Sequence, residues 1–444
     1  MGISLCMIVK NEEDLVAGTV ESVRSIVDEV IIVDTGSTDS TPARAQALGA
    51  KVIQTQWKAS FAEARNTSLR AASKSWILVL DADERIAARD LPYIKRAIKS
   101  GGDDGYHLIQ RNYVFNGRVI GWTPNAGEYE EGAKYDGYVD NRLIRLFRNS
   151  PEIRFLGAVH EIIDPTRLAA HFSFASIPAV IHHYGKVRNE EHVRAKQRVY
   201  LTLGLRKIEE DPKNAKAYLD LGIQYQELAR HAEACGCFEK AFEMTRLSAP
   251  LLYWAISEKE LRNYDSATRL LRRALELGLG TVEVHLELGN TYLAQNEWAA
   301  AKTEYAMCLS LNPDNPISVF NYGLVLRKMG DSEGALSFYN RALSLDPKFQ
   351  EPMRELAVLH LQANRPDEAL RVLESVSNPD AILLSLIGAA HLQKNNLDEA
   401  QHHLEAALKK DRSLTDTRLN LSQVYLRKGD YARAARHATA ANAK

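Results

Sequence analysis

One spacing restricts this chain of 444 residues more than any other feature: small and aromatic residues in its second half return every 34 positions. Leu288-Gly289-x-x-Tyr292 comes back as Tyr322-Gly323-x-x-Leu326, and Ala301, Ala335 and Ala369 stand at the same interval. Asn312-Pro313 is answered 34 residues later by Asp346-Pro347. Leu221-Gly222-x-x-Tyr225 with Ala234, Phe238 and Ala241 belongs to the series, as do Ala267 with Ala274, Ala400 with Ala407, and Tyr425 with Ala434. A unit of this length holds two helices that cannot bury their apolar faces alone, so neighbours must stack to close a core. Small residues at fixed places let the helices cross closely. An unrelated helical bundle has no reason to keep one interval across so many turns.

The period, the small residues at the crossings and the prolines at the unit ends resemble the tetratricopeptide repeat. Seven units cover about 215–444; the second is degenerate and the fifth is short, because Ala369 to Ala400 is 31 residues. Before about residue 190 the grammar is different. β-rich runs at Ile3–Val9, Val30–Val33, Val52–Gln54 and Trp76–Leu80 alternate with helical patterns near Leu15–Ser25, Pro42–Leu48 and Phe61–Ala72. Ser40 or Thr41 stands as N-cap before Pro42, with Gly49 past the end of that helix. Alternation of this kind argues for a parallel sheet covered on both faces. The expected organisation is an α/β domain over 1–185, a connecting helical segment over 186–214 and an all-α repeat superhelix over 215–444.

Length and composition allow two or three domains, with 45% apolar residues to fill their cores. The 56 basic and 57 acidic residues nearly cancel, so global charge gives no reason to expect nucleic acid or an anionic membrane as partner. Four cysteines are too few for a disulfide framework, and Cys235 and Cys237 point to different faces of a helical pattern, against a helical metal clip. A reducing, cytoplasmic setting is the expectation. Gly2–Val9 is apolar but has no basic segment before it and runs at once into Lys10-Asn11-Glu12-Glu13, as a core strand does and a signal peptide does not. No apolar run reaches the roughly 18 residues of a transmembrane segment.

The chemistry gathers at predicted strand ends. Trp76–Leu80 delivers Asp81-Ala82-Asp83-Glu84 to its C-terminal mouth, where open α/β sheets bind ligands. Two carboxylates at that spacing hold a hard divalent cation, and a hard cation there answers to a phosphate. A polar strand end with an acidic turn carries the same residues. The second strand ends in Asp34-Thr35-Gly36-Ser37-Thr38-Asp39, where Gly36 allows a sharp turn toward a helix N-terminus that favours anions. Asp34 can accept from a ribose hydroxyl or a base N–H, or belong to a turn rich in capping residues. A dinucleotide fold would need G-x-G-x-x-G after its first strand, and Lys10-Asn11-Glu12-Glu13 stands there instead.

Ser4–Glu13, Asp34–Asp39, Ala64-Arg65-Asn66 and Leu80–Glu84, in this order and spacing, resemble the family 2 glycosyltransferases of GT-A fold over about residues 3–185. The resemblance implies an α/β, Rossmann-like mixed sheet of the nucleotide-diphospho-sugar transferases and a nucleotide-sugar donor, most often a UDP-sugar. It implies that Ile8, Lys10 and Glu12 line the base pocket, that Asp34 binds uracil or ribose, and that Arg65 helps hold the nucleotide. Asp81 and Asp83 then form a DxD motif: Asp83 ligates Mn²⁺ or Mg²⁺ on the diphosphate, and Asp81 stands beside it facing ribose or sugar. Family 2 enzymes invert the anomeric carbon, so a carboxylate base is expected opposite the leaving group. Arg142–Asn149 and Phe155–Glu161 are similar to an Arg-Leu-Phe-Arg strand and His-Glu pair of repeat-bearing members, which makes Glu161 the first candidate base and Asp140 the second. A structural ion pair would use Glu161 equally well.

His183, in Ile181-His182-His183-Tyr184-Gly185, is the candidate third metal ligand; neighbours on a strand face opposite ways, so only one of the two histidines can serve. An interior histidine satisfied by its surroundings is the other reading. The aromatic, glycine-rich stretch from Gly117 to Tyr135 reads as an acceptor-side loop or as an ordinary surface excursion. A repeat array beside a transferase presents a polypeptide acceptor on its concave face, with Asn290, Asn321 and Asn420 as groove candidates, or pairs two copies into a homodimer. The expected activity is therefore an inverting, metal-dependent transfer of a sugar to Ser, Thr or Cys of a protein or peptide. The resemblance includes bacterial enzymes of that kind, some acting on antimicrobial peptides or flagellin. It also includes relatives acting on lipopolysaccharide or surface glycans. A repeat scaffold with an inactive first domain is the reading from another class.

Overall fold

The computed structural model describes residues 2–114, 121–158, 161–168, 171–185, 190–374, 376 and 379–442, with the backbone alone over 190–196. Two compact units result, Met1–Arg246 and Leu247–Lys444. The first begins with β1 (Ile3–Val9), α1 (Val16–Val23), β2 (Glu29–Asp34), α2 (Thr41–Ala47), β3 (Lys51–Gln54), α3 (Phe61–Ala71) and β4 (Trp76–Val79). Next come β5 (Glu84–Ile86), α4 (Leu91–Ser100), β6 (Gly105–Val114), β7 (Thr123–Pro124), β8 (Gly137–Arg148) and β9 (Phe174–His183). Helices α5 (Glu190–Glu210), α6 (Ala215–Glu227) and α7 (His231–Thr245) complete it. The first repeat pair thus belongs to the same compact unit as the sheet. Residue 215 marks where the repeat starts, not where the first unit ends.

Strand order across the sheet is β3-β2-β1-β4-β8-β6-β9-β5, with β7 on β8. β1 to β4 pair in parallel, as their strand–helix alternation predicts. From β4 outward the sheet becomes mixed, as the resemblance implies: β8 runs antiparallel to both β4 and β6, β5 runs antiparallel to β9, and β6 with β9 is parallel. The reason lies in the connections. From β6 to β9 strand follows strand with only short 3-10 turns between among the described residues, and without crossover α-helices neighbouring strands commonly pair antiparallel.

The central strands are buried on both faces, so they read as unbroken apolar runs. Leu5, Met7, Ile32 and Leu78 face α1 and α4, packing with Val16, Val20, Ile94 and Ile98. Cys6, Ile31, Ile77 and Val79 face the other way, with Leu69 of α3 and Phe147 of β8. This two-sided core makes the sheet a rigid support, and its parallel part places the C-terminal ends of β1, β2 and β4 along one edge.

In the second unit six helix pairs follow, from Ala249–Glu260 with Tyr264–Glu276 to Thr415–Arg427 with Tyr431–Asn442; with α6 and α7 they make seven among the described residues. The alanines of the 34-residue series are its most buried side chains: Ala267, Ala301, Ala335, Ala369 and Ala400 are all fully enclosed. Gly289 lies under the Tyr305 ring so closely that a Cβ there would come within 2.5 Å of it, and Gly388 meets Leu404 in the same way. Cys308 takes the place that Ala274 and Ala342 hold in neighbouring units. Asn315, Asp331 and Asp380 cap their helices through side-chain oxygens. The groove candidates Asn290 and Asn321 bond to each other, Asn321 donating to an Asn290 oxygen that also accepts from Tyr305. No helix among the described residues is long and apolar enough to cross a membrane.

Candidate active site

A cavity of about 420 Å³ opens at the ends of β1, β2 and β4. The loop after β1 forms one wall through Ile8, Lys10 and Glu12, and the ends of β2 and β4 add Thr35, Asp81, Ala82 and Asp83. Asn11 adopts a left-handed φ of 55° that turns this loop back on the β2 loop. Its N–H donates to Ser37 Oγ at 2.9 Å, its side-chain oxygen accepts from the Thr38 N–H at 2.8 Å, and the Glu12 N–H donates to Thr41 Oγ1 at 2.7 Å. Two loops that meet only in the fold are thereby locked as one wall.

Arg65 sits in the second turn of α3, a helix started by Ser60, whose hydroxyl accepts from the Glu63 N–H. Only 5% of Arg65 is exposed, and it joins residues from distant parts of the chain. Its Nε donates to Glu161 at 2.6 Å and its Nη2 to Asp81 at 2.7 Å, while Nη1 is buried and has no hydrogen-bond partner among the described residues. Burial alone would push this guanidinium down; the Asp81 and Glu161 charges outweigh it and hold it well above its ordinary value. A second buried arginine, Arg145 on β8, donates to Asp81 at 3.4 Å and to Glu84 at 3.2 Å. Fully enclosed Glu84 also accepts from the Asp81 N–H at 2.8 Å and from Gln110 Nε2. Glu161 lies on a wall shared with a smaller cavity of about 190 Å³, lined by His107, Arg142, Arg145 and Ile162 on its other sides.

On the far side of the β4 turn, Asp83 faces His183, with Oδ2 and Nε2 3.5 Å apart. The pairing of Glu84 with His183 across β5 and β9 brings them together. Gly185 passes directly over both: a Cβ there would stand 2.6 Å from His183 Nε2 and 3.0 Å from Asp83 Oδ2. An oxygen and a nitrogen donor beneath a residue without a side chain are groups that could hold a divalent ion. Asp81, expected beside them, makes other contacts here. Its carboxylate is engaged by Arg65 and Arg145, and no set of three or more His, Cys, Asp or Glu groups arranged for a metal occurs among the described residues.

Two more of the expected residues lie off the wall of this cavity. Asp34 is 2% exposed and is not on the cavity wall, where Thr35 stands instead. Gly36, at φ 104°, folds the chain back so that the N–H and hydroxyl of Ser37 both donate to the Asp34 carboxylate. Asp140 lies on β8 opposite Arg111 on β6 and receives both of its hydrogen bonds, at 3.0 and 2.9 Å; it lines neither cavity. Of the His160-Glu161 pair, His160 lies outside the described residues, as do 117–120 of the glycine-rich stretch. The described part of that stretch does not face the cavity. Tyr135 stacks on Tyr113, and Tyr129 donates to Asp90. His182, on the face opposite His183, is enclosed beside Tyr113 and Tyr129, with its Nδ1 2.7 Å from the Tyr113 hydroxyl. Burial, with Arg111 and Arg89 nearby, pushes it down to about 4.

Several participants carried no signal in the sequence. Trp57 and Phe61 form an aromatic edge of the cavity, their rings 4.8 Å apart, and Tyr200 of α5 follows at 5.5 Å from Phe61. Arg145 sits on β8 among other charged and polar residues that give it no distinction. The Arg-Leu-Phe-Arg run was the available sign for Arg145; nothing local marks Tyr200.

Residues 4–155 match the family described as Glycosyl transferase family 2. Tetratricopeptide repeat families match 252–316, 286–349, 326–381 and 386–443. A TPR repeat-containing protein of Synechococcus elongatus is 28% identical over 410 residues, which is 81% of this chain and 96% of that protein. An uncharacterized glycosyltransferase of Rickettsia felis is 41% identical over 113 residues, 24% of this chain and 38% of its own. The SPbeta prophage-derived glycosyltransferase SunS of Bacillus subtilis is 22% identical over 237 residues, 53% of this chain and 52% of that one. The chain thus spans about half the length of the last of these and little more than a third of the Rickettsia protein. Among solved structures, a tetratricopeptide repeat protein from Parabacteroides merdae aligns with 52% of this chain and 93% of its own, at 16% identity and a TM-score of 0.43.

Proposed function

We propose that this chain, a family 2 glycosyl transferase domain followed by tetratricopeptide repeats, moves a sugar from a nucleoside-diphosphate donor, in the first instance a UDP-sugar, onto a polypeptide side chain. One observation carries the reading: buried Arg65 binds Asp81 and Glu161 in one cluster at the cavity wall and keeps an unpartnered Nη1 there. A buried donor without a protein acceptor suits an anionic ligand. The wall around Ile8, Lys10 and Glu12 suits the base and ribose, and the Trp57–Phe61 edge supplies flat apolar area.

Asp83 and His183 are the residues that would hold Mn²⁺ or Mg²⁺, which when bound offsets the charge gathering on the departing diphosphate. Glu161 is the base. It takes the proton of the acceptor hydroxyl or thiol as that atom forms its bond to the anomeric carbon, while the bond from that carbon to the phosphate oxygen breaks and its electron pair leaves with the diphosphate. Its place on the wall common to both cavities supports this role, because inversion needs the acceptor and the leaving group on opposite sides. Asp81 and Arg145 keep Arg65 oriented so that Glu161 stays in reach.

Isothermal titration of UDP with and without Mn²⁺ tests the donor half: binding should tighten at least about ten-fold with the ion, and equal affinity would sink the metal-assisted reading. The acceptor half is tested with a chain ending at Arg246, where the first compact unit ends. Hydrolysis of the UDP-sugar should persist while transfer to polypeptide falls away; a parallel loss of both would argue that the repeats only support the fold.

A further inference from the structure

Asn112 has no place in the chemistry above, yet its geometry determines what His183 can present to Asp83. It sits on β6, paired with Val139 on one side and His183 on the other. Its amide nitrogen donates to the Gln110 carbonyl at 3.3 Å and the Val139 carbonyl at 3.2 Å. Two carbonyl partners require the nitrogen on that side, because the opposite orientation would set an oxygen against two oxygens. The Asn112 oxygen must therefore be the atom that meets His183 Nδ1, 2.6 Å away. An oxygen there accepts, so Nδ1 carries the hydrogen. In the neutral ring the proton is then absent from Nε2, and the Nε2 lone pair is turned toward Asp83 Oδ2 at 3.5 Å, under Gly185.

We propose that Asn112 is a positioning residue that locks His183 in its Nδ1–H tautomer, so that Nε2 and Asp83 together form a two-donor seat for a divalent cation. The inference rests on the metal-assisted reading above. Outer groups of this kind orient a ligand ring and fix which nitrogen is bare. With Nε2 protonated instead, the ring would donate to Asp83 and leave no seat between them. The chain reaches this arrangement through backbone carbonyls of β6 and β8, so it is built into the sheet and does not depend on a mobile loop.

The test begins with the unaltered protein, free of metal, labelled with ¹⁵N in its histidines. The couplings of His183 should be those of the Nδ1–H tautomer; the Nε2–H pattern would overturn the proposal without touching the transferase reading. Mn²⁺ added with UDP is then followed by electron paramagnetic resonance. A nitrogen coupling from the bound ion is expected in the parent protein and absent in His183→Ala. Asn112→Leu should weaken Mn²⁺ binding about ten- to a hundred-fold, as loss of an outer-shell partner does, with unchanged metal-free thermal unfolding. Asn112→Asp, which keeps an acceptor for Nδ1, should recover most of it. Equal Mn²⁺ affinity in Asn112→Leu, or Mn²⁺ and UDP binding with no nitrogen coupling, would overturn the proposal alone. If the parent protein binds no Mn²⁺ in the presence of UDP, the metal-assisted reading falls with it.

Discussion

The two regions of this chain are held together by opposite means. In the repeats, neighbours in sequence are neighbours in space, and the contacts are small residues under large apolar ones: Gly289 beneath the Tyr305 ring, Gly388 beneath the Leu404 side chain, enclosed alanines at the crossings. At the strand-end site the joined groups lie far apart in sequence, 96 residues from Arg65 to Glu161 and 64 from Asp81 to Arg145, and they are charged. Apolar packing tolerates graded change. A buried charge network does not, because removing one partner leaves another charge without compensation. The difference separates a region that can vary its surface freely from one whose interior is constrained by chemistry.

The sharpest way to break the comparison is at the site. Asp83→Ala should lower sugar transfer by at least about a hundred-fold, since charge stabilisation by a bound ion is worth several kcal/mol. Thermal unfolding of the metal-free variant should stay close to that of the parent. Retained transfer in a direct assay would remove Asp83 from the metal role. Next is Arg65→Leu, which strands Glu161 and takes from Asp81 the nearer of its two arginines: denaturant unfolding should show the first unit weakened by about 3–5 kcal/mol, with the second unit unaffected. A loss under about 1 kcal/mol would show that the cluster is solvated and that the contrast drawn here is false.

A pH series separates the regions without a catalytic substitution. His182 has a folded value near 4 against an ordinary 6.5, so the unfolded chain takes up a proton first. Its contribution is complete above pH 6.5 and is lost as pH falls toward 4, on the order of 3 kcal/mol over that window. With a chelator present, wild-type should lose more stability than His182→Asn between pH 7 and pH 4; parallel curves would refute the assignment. In the repeats, Gly289→Ala pushes a methyl against the Tyr305 ring, and overpacking of this kind costs about 1–3 kcal/mol. Calorimetry should place that loss in the second unit alone. The smallest effect is expected for Asp140→Asn, which removes the charge of a partly exposed carboxylate paired with buried Arg111 away from both cavities while keeping an acceptor oxygen. Transfer should change less than about two-fold, because such pairs contribute about 1 kcal/mol or less to stability; a large loss would return Asp140 to the list of candidate bases.

Much of this was legible in the residues. The strand bounds of β1 and the starts of α3 and β4 follow from apolar runs and their punctuation, and the helix pairs follow from the period. Asp81 and Asp83 stood out by their place after a buried strand, but not their division of labour. One turned to the arginines and the other to a histidine 100 residues on. Asp34 looked like a ligand group because a strand end offers one; its own turn supplied the donors first. The antiparallel half of the sheet, and with it Arg145 and Asn112, was hidden because consecutive strands there lack the helix spacing that announces direction.

Sequence alone determined the local quantities: the strands and helices of the first 80 residues, the 34-residue unit, and the carboxylates at the end of β4. These depend on periodicity and on contacts within one or two turns, which neighbouring residues specify. Tertiary structure alone decided which carboxylate meets which arginine, which face of β9 turns to Asp83, and which side chain the Nδ1 of His183 meets. Those outcomes depend on the register of strands that pair across long stretches of chain, and a shift of one residue would turn every such side chain to the other face of the sheet.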